Sequence, residues 1–216
     1  MRCRLLLLIP LLLAASACAE QTSGTTPGGP VTPTPVPLDV GPSAKVTGNT
    51  MPTGIVVQGK ELILYLWVAT GAPVLATASR DSASGTVDPK SDGGICTGTT
   101  LSEDQNPFFG LTQCVAGDGS LIEFGAYKGE VSRVIDEMDG KTTDATFTRW
   151  TGSEQPVTIF WLQRRGNPNP SNVVNAPGKT SPLPAAQYPR ITVYSTKGKA
   201  VASAHIRPGQ TEQKGG

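Results

Sequence analysis

Residues 61–69 read Glu61-Leu62-Ile63-Leu64-Tyr65-Leu66-Trp67-Val68-Ala69. Successive side chains of a β-strand point to opposite faces of a sheet. One face of this run carries Leu62, Leu64, Leu66 and Val68, and the other face carries Ile63, Tyr65 and Trp67. Because both faces are apolar, we predict a strand that is covered on both sides.

Shorter runs rich in β-branched and aromatic residues surround this stretch and alternate with Gly, Pro, Asn and Asp. They predict strands near residues 55–58, 74–79, 95–100, 109–115, 121–127, 131–135, 143–150, 156–163, 191–195 and 200–206. Asp118-Gly119 and Asp139-Gly140 are hairpin turn signals between neighbouring runs. No stretch has a convincing helical period, so we predict an all-β, antiparallel sandwich.

The chain begins with the features of a secretory signal peptide. Arg2 and Arg4 precede about ten apolar residues and then small residues, a layout that predicts cleavage nearby. The apolar run is too short to span a membrane, which needs roughly 20 residues. We therefore assign residues 1–17 to a signal peptide. An ordinary signal, cut after Ala17 or Ala19 to give a secreted protein, is the alternative.

The junction Ala15-Ser16-Ala17-Cys18 resembles the lipobox of bacterial lipoproteins. That family usually has Leu three positions before the cysteine, where this chain has Ala15. The resemblance implies that Cys18 becomes the N-terminus and carries acyl chains such as palmitate. It also implies attachment to the outer face of the cell membrane, so the membrane is the first expected partner.

The four cysteines fall into two groups. Cys3 lies in the signal and Cys18 in the lipobox, which leaves Cys96 and Cys114 as a pair. In an oxidising compartment this pair predicts a disulfide. With no Cys-x-x-Cys and a single histidine, His205, the sequence predicts no metal site and no cofactor.

Composition divides the mature chain into three parts. Residues 18–50 are rich in Pro and Thr and lack the large apolar residues of a core, so we predict a disordered linker or semi-rigid spacer. At ~3.1 Å per residue its reach is at most about 100 Å. Residues 51–207 form the predicted β-sandwich domain, and residues 208–216 a disordered tail.

The second half of the domain carries the order Val131-x-Arg133-Val134, Gly140, Ala145, Arg149, Phe160-Trp161 and Ile191-Thr192-Val193-Tyr194-x-x-x-Gly198. Over about 80 residues, from Ile122 to Ala202, this order resembles the immunoglobulin-like ectodomains of actinomycete envelope proteins. It implies an immunoglobulin-like sandwich and no activity. Cys96 and Cys114 are too close in sequence to be the bridge that joins the two sheets of antibody domains.

Charge and side-chain chemistry exclude several functions. The chain has 18 basic and 17 acidic residues, and Arg2 and Arg4 leave with the signal. The mature chain therefore has no excess of basic residues, which argues against nucleic-acid binding. A catalytic triad would depend on His205, without a Gly-x-Ser-x-Gly motif. Pro177-Gly178-Lys179-Thr180 lacks the first glycine of a phosphate loop. The acidic loop of Asp81, Asp88 and Asp92 lacks the spacing of a calcium loop.

We therefore predict a non-catalytic, tethered extracytoplasmic module that binds an envelope protein or cell-wall component, or has a structural role. The candidate binding surface is Trp150 at a strand end, with Asn167, Asn169 and Asn172 in a long Pro-rich loop. One alternative is a cell-wall polymer hydrolase whose carboxylate pair comes from Glu123, Glu130, Asp136, Glu137 and Asp139. Another is a small-ligand receptor, which requires an apolar pocket.

Overall fold

The structure is a computed structural model, and it describes residues 28–35, 37–38, 46–69, 72–88, 95–96, 107–152, 154–165 and 188–206. Within these ranges the chain forms thirteen strands and no helix. Accordingly, the described residues contain no helix long and apolar enough to cross a lipid bilayer.

The strands form three sheets, which we name by position. The outer sheet has the order β2-β3-β4-β5, with β2 Val46–Val57, β3 Lys60–Ala69, β4 Ala72–Asp81 and β5 Val87–Asp88. The central sheet has the order β1-β10-β11-β7-β6, with β1 Gly29–Pro30, β6 Phe108–Val115, β7 Leu121–Lys128, β10 Thr146–Trp150 and β11 Val157–Arg164. The C-terminal sheet has the order β13-β12-β8-β9, with β8 Arg133–Met138, β9 Lys141–Asp144, β12 Arg190–Tyr194 and β13 Ala200–His205. All pairs are antiparallel except β1 with β10.

The central sheet is buried on both faces because its strands are apolar at odd and even positions. One face, with Ile122, Phe124 and Trp161 among its residues, packs against Leu62 and Leu64 of the outer sheet. The opposite face contributes Phe108, Tyr127, Phe147, Phe160 and Leu162 to a second core with Val134, Ile191 and Val193 of the C-terminal sheet. The all-β, antiparallel sandwich prediction is confirmed, with three layers of sheet.

Strand β3 is covered on both faces, as its sequence predicts. Leu62, Leu64 and Leu66 are at most 1% exposed and belong to the core shared with the central sheet. On the opposite face Ile63 and Tyr65 are also buried, and they form a smaller cluster with residues of β4. Burial raises the pKa of the Tyr65 hydroxyl.

A corner at Ala145 joins the central and C-terminal sheets. Asp144 ends β9 in the C-terminal sheet and Thr146 begins β10 in the central sheet, so the chain changes sheets within one residue. The Ala145 N–H donates to the carbonyl of Val134 at 2.9 Å, and Ala145 is 1% exposed. The sequence predicts one strand over residues 143–150, and the structure divides it in two.

The predicted hairpins at Asp118-Gly119 and Asp139-Gly140 are confirmed. They connect β6 to β7 and β8 to β9. Asp139 has φ 52° and Gly140 has φ 71°, the left-handed conformation that a two-residue hairpin turn requires. The predicted strand over residues 95–100 is wrong at its start, because Ile95 and Cys96 lie in a bend; residues 97–100 are outside the described ranges.

The predicted disulfide between Cys96 and Cys114 is present. Its Cα atoms are 5.7 Å apart and its sequence separation is 18 residues. Cys114 lies on β6, so the bond fastens the segment that precedes this strand to the strand itself. Thr77 of β4 donates a hydrogen bond to the carbonyl of Cys96 at 3.0 Å, which connects the same segment to the outer sheet.

Candidate functional site

Three charged side chains meet between the central and C-terminal sheets. Glu123 lies on β7, Arg164 at the end of β11 and Asp136 on β8. Glu123 occupies the face of β7 opposite to Ile122 and Phe124, so its carboxylate points toward the C-terminal sheet. The topology therefore brings two acidic groups and one guanidinium together in the protein interior.

Arg164 contacts the two carboxylates unequally. Its Nη2 donates a hydrogen bond to Asp136 Oδ2, and its Nη1 donates to the Thr143 hydroxyl at 2.9 Å. The Arg164 Nε atom lies 3.7 Å from Glu123 Oε2, which is within ion-pair range but too long for a hydrogen bond. The guanidinium therefore pairs primarily with Asp136.

Burial is nearly complete around this cluster. The side chains of Glu123 and Asp136 are 0% exposed, and that of Arg164 is 17% exposed. Among the described residues, both carboxylate oxygens of Glu123, Oδ1 of Asp136 and Nε of Arg164 are buried and have no hydrogen-bond partner. Unsatisfied buried polar groups destabilise a fold, and their cost is largest when the group is charged.

The environment shifts the protonation of Glu123. Burial raises the pKa of its carboxyl group from 4.5 to about 7, although the nearby Arg164 charge acts in the opposite direction. Two ionised carboxylates with one guanidinium would leave a net negative charge in the interior. A neutral Glu123 removes that charge, while Asp136 keeps its ion pair.

The other acidic residues of the hydrolase hypothesis do not join this cluster. Glu130 forms an exposed ion pair with Arg149 at 3.0 Å, and Glu137 pairs with Arg190 directly across β8 and β12. Asp139 lies in the β8–β9 turn. Glu123 and Asp136 therefore meet, but they meet around an arginine and away from solvent.

Trp150 does not lie on the surface, which corrects its assignment to a binding surface. Its side chain belongs to the core between the outer and central sheets and is 4% exposed. Gly48 of β2 and Gly152 both approach the ring closely, since a Cβ at either position would overlap the indole. Phe160 and Trp161 are also core residues, and Trp161 Nε1 donates to the carbonyl of Thr53 at 2.9 Å.

Several other predicted residues lie outside the described ranges. Asn167, Asn169 and Asn172 of the candidate binding surface are among them, as are Cys18, the signal peptide and the tail. His205 is described, and its Nδ1 lies 3.3 Å from the carbonyl of Tyr188. It pairs with Arg190 across β12 and β13.

Asp81, the first residue of the predicted acidic loop, has a structural role in a turn. Asp81 Oδ1 accepts hydrogen bonds from the N–H groups of Ala83 and Ser84 at 3.0 and 2.7 Å, and from the Ser84 hydroxyl at 2.9 Å. These bonds hold the pKa of Asp81 below its usual value. Asp92 is outside the described ranges. Among the residues that the structure describes, no three His, Cys, Asp or Glu side chains form a group that could hold a metal ion.

Arg164 organises the cluster, and no sequence pattern marks it as a functional residue. The only available signal was the position of Glu123 within an otherwise apolar strand, because a buried carboxylate requires a partner. The partner itself depends on how two sheets stack. Comparison with known proteins gives no further guidance, since no family model, no curated protein and no solved structure matches this chain.

Proposed function

We propose that this chain is a membrane-tethered extracytoplasmic lipoprotein, and that its β-domain is a non-catalytic binding or structural module of the cell envelope. The observation that carries the proposal is the Cys96–Cys114 disulfide. Structural disulfides persist in oxidising compartments and are rare in the cytosol. An exported protein with a lipobox-like Ala15-Ser16-Ala17-Cys18 junction is then attached to the membrane through Cys18.

We further propose that residues 107–206 are an immunoglobulin-like sandwich. Strand order supports this assignment: β6-β7-β11-β10 in one sheet and β9-β8-β12-β13 in the other correspond to A-B-E-D and C′-C-F-G. The outer sheet is an addition on the A-B-E-D face. The Cys96–Cys114 bond differs from the antibody bridge, which joins strands B and F, here β7 and β12.

The charge arrangement favours a non-catalytic domain over a glycoside hydrolase. A hydrolase needs one carboxyl group on each side of the sugar, with room for the polymer and for water. Glu123 and Asp136 are fully buried, and Arg164 lies between the ends of both side chains. Neither carboxylate is therefore accessible to a polymer substrate in this packing.

We assign the binding surface of this module to the segment that contains Asn167, Asn169 and Asn172, which the sequence predicts to be a long loop. Long loops on a rigid scaffold frequently carry binding function. Trp150 is no longer part of this surface, because its ring is buried in the core.

Metabolic labelling with an alkyne fatty acid, followed by cell fractionation, tests the tether. We expect wild-type protein to carry the label and to sediment with membranes, and Cys18→Ser to lose the label. Cys3→Ser is the matched control, since Cys3 precedes the lipobox and its replacement should leave labelling unchanged. Label on the Cys18→Ser protein, or none on the wild type, would show that the lipobox assignment is wrong.

A further inference from the structure

The Pro/Thr-rich segment makes specific backbone contacts with the domain. Gly29 and Pro30 form β1, which pairs in parallel with Thr146 and Phe147 at the edge of the central sheet. The Gly29 N–H donates to the carbonyl of Ala145 at 3.1 Å, and the Val31 N–H donates to the carbonyl of Phe147 at 2.8 Å. These bonds occupy part of the edge of β10, which is otherwise open to pairing with another chain.

The sequence at this contact fits the geometry. A Cβ at Gly28 would overlap the Cβ, the carbonyl carbon and the carbonyl oxygen of Asp144, so a larger residue requires the backbone to move. Gly29 has φ 147°, a conformation that residues with a side chain rarely adopt. The Gly28-Gly29 pair therefore meets two independent requirements of docking at the β9–β10 corner.

A second contact lies further along the same segment. Leu38 is half-buried and packs against the cluster formed by Ile63 and Tyr65 on the outer sheet. The segment thus touches the central sheet at Gly29–Val31 and the outer sheet at Leu38, and β2 then begins at Val46. Val46 lies within residues 18–50, the range that the sequence assigns to the spacer.

We propose that residues 28–35, 37 and 38 form a strap that belongs to the folded domain, so that the tether consists of residues 18–27 alone. This inference rests on the proposed lipid anchor at Cys18. At most ~3.5 Å per residue, these ten positions reach about 35 Å, whereas the whole predicted spacer would reach about 100 Å. The short tether holds the domain near the membrane surface.

Amide hydrogen exchange tests the strap without reference to the anchor. On the mature protein purified from cells, NMR should show the Gly29 and Val31 amides exchanging at least about tenfold more slowly than those of Thr32 and Thr34. Gly28→Val should abolish this protection, because its side chain overlaps Asp144. Thr34→Val, at an exposed position, should retain it. Unprotected Gly29 and Val31 amides in wild-type protein would overturn the strap.

Energy transfer to the membrane tests the tether length. The donor fluorophore is attached to an introduced cysteine, Val201→Cys, on β13, where the native side chain is 47% exposed. The protein is bound to lipid vesicles, and the acceptor is a labelled lipid in the same vesicles. Gly28→Val should lower transfer, since release of the strap extends the maximum reach about threefold. Equal transfer in both proteins, with exchange protection lost in Gly28→Val, would refute the short tether. Absence of both proteins from vesicles would refute the anchor and leave the exchange result intact.

Discussion

Replacing Glu123 by Gln should remove a pH-dependent loss of stability from this protein. Glu123 is the carboxyl group without a hydrogen bond in the buried cluster, and burial raises its pKa from 4.5 to about 7. Among the described residues, Asp136 on β8 and Arg164 on β11 are the charged groups of this cluster that lie beside it. Gln is close in shape to the protonated acid, so Glu123→Gln imitates the low-pH form at every pH.

The magnitude follows from proton linkage. Between pH 4.5 and 7 the unfolded chain ionises Glu123 while the folded protein retains its proton, so the free energy of unfolding falls as pH rises. One pKa unit corresponds to about 1.4 kcal/mol, so the loss amounts to about 3 kcal/mol by pH 7 and is constant above it. Below pH 4.5 the group is protonated in both states and contributes no pH dependence.

Urea denaturation between pH 4.5 and 8.5, followed by tryptophan fluorescence, measures this difference. Subtracting the Glu123→Gln curve from the wild-type curve cancels the other titrating groups, and the remainder should fall by about 3 kcal/mol as pH rises. Glu130→Gln is the control, because Glu130 has a 58% exposed side chain in a surface ion pair and should shift stability by less than about 1 kcal/mol. Parallel wild-type and Glu123→Gln curves would refute the reasoning.

Two further predictions concern the cluster and the disulfide. Arg164→Leu should destabilise the fold by about 3–5 kcal/mol in the same denaturation assay, because Asp136 is left buried without its ion pair. Arg149→Leu is the control, since it removes an exposed ion pair and should cost less than about 1 kcal/mol. The double substitution Cys96→Ser with Cys114→Ser should cost about 3 kcal/mol for an 18-residue separation, and reductant should lower the stability of wild-type protein alone by a similar amount. An Arg164→Leu protein as stable as wild type, or a reductant effect on the double variant, would contradict the respective prediction.

Strands and tight turns could be predicted from the sequence because they depend on the pattern of neighbouring residues. The apolar run at residues 61–69 predicts β3 with both faces covered, and Asp118-Gly119 and Asp139-Gly140 predict the turns that the structure contains. In each case neighbouring residues alone determine the outcome: alternation fixes the two faces of a strand, and positive φ selects Gly, Asn or Asp in a turn.

Features that depend on contacts between distant parts of the chain could not be predicted from the sequence. The corner at Ala145 requires Val134 of the neighbouring strand to accept its N–H, and residues 143–150 contain no proline or glycine to mark a break. The contact of Gly28 and Gly29 with the β9–β10 corner could not be predicted from the sequence for a different reason. Pro- and Thr-rich composition predicts that a segment cannot form its own core, but it does not exclude pairing with an edge that another part of the chain supplies.

The sequence around Trp150 does not decide whether its side chain is buried or exposed. It ends a strand and follows the exposed Arg149, a position compatible with either the rim or the core. Burial depends on two small residues, Gly48 and Gly152, whose lack of a Cβ leaves room for the indole. Gly48 lies about a hundred residues earlier in the chain, so no local pattern connects it to Trp150.

The two large cores differ in a way that bears on the role of the charged cluster. The outer and central sheets meet through a core that includes Leu62, Leu64 and Phe124, and the hydrogen bond that crosses it from Trp161 to the Thr53 carbonyl joins uncharged groups. The central and C-terminal sheets also carry the Glu123, Arg164 and Asp136 cluster, in which a shift would break the Arg164–Asp136 hydrogen bond inside the protein. A buried ion pair is weak evidence for stability, but its geometry penalises alternative packings. We therefore infer that the cluster fixes the position of these two sheets relative to each other, which gives the buried acids a structural role.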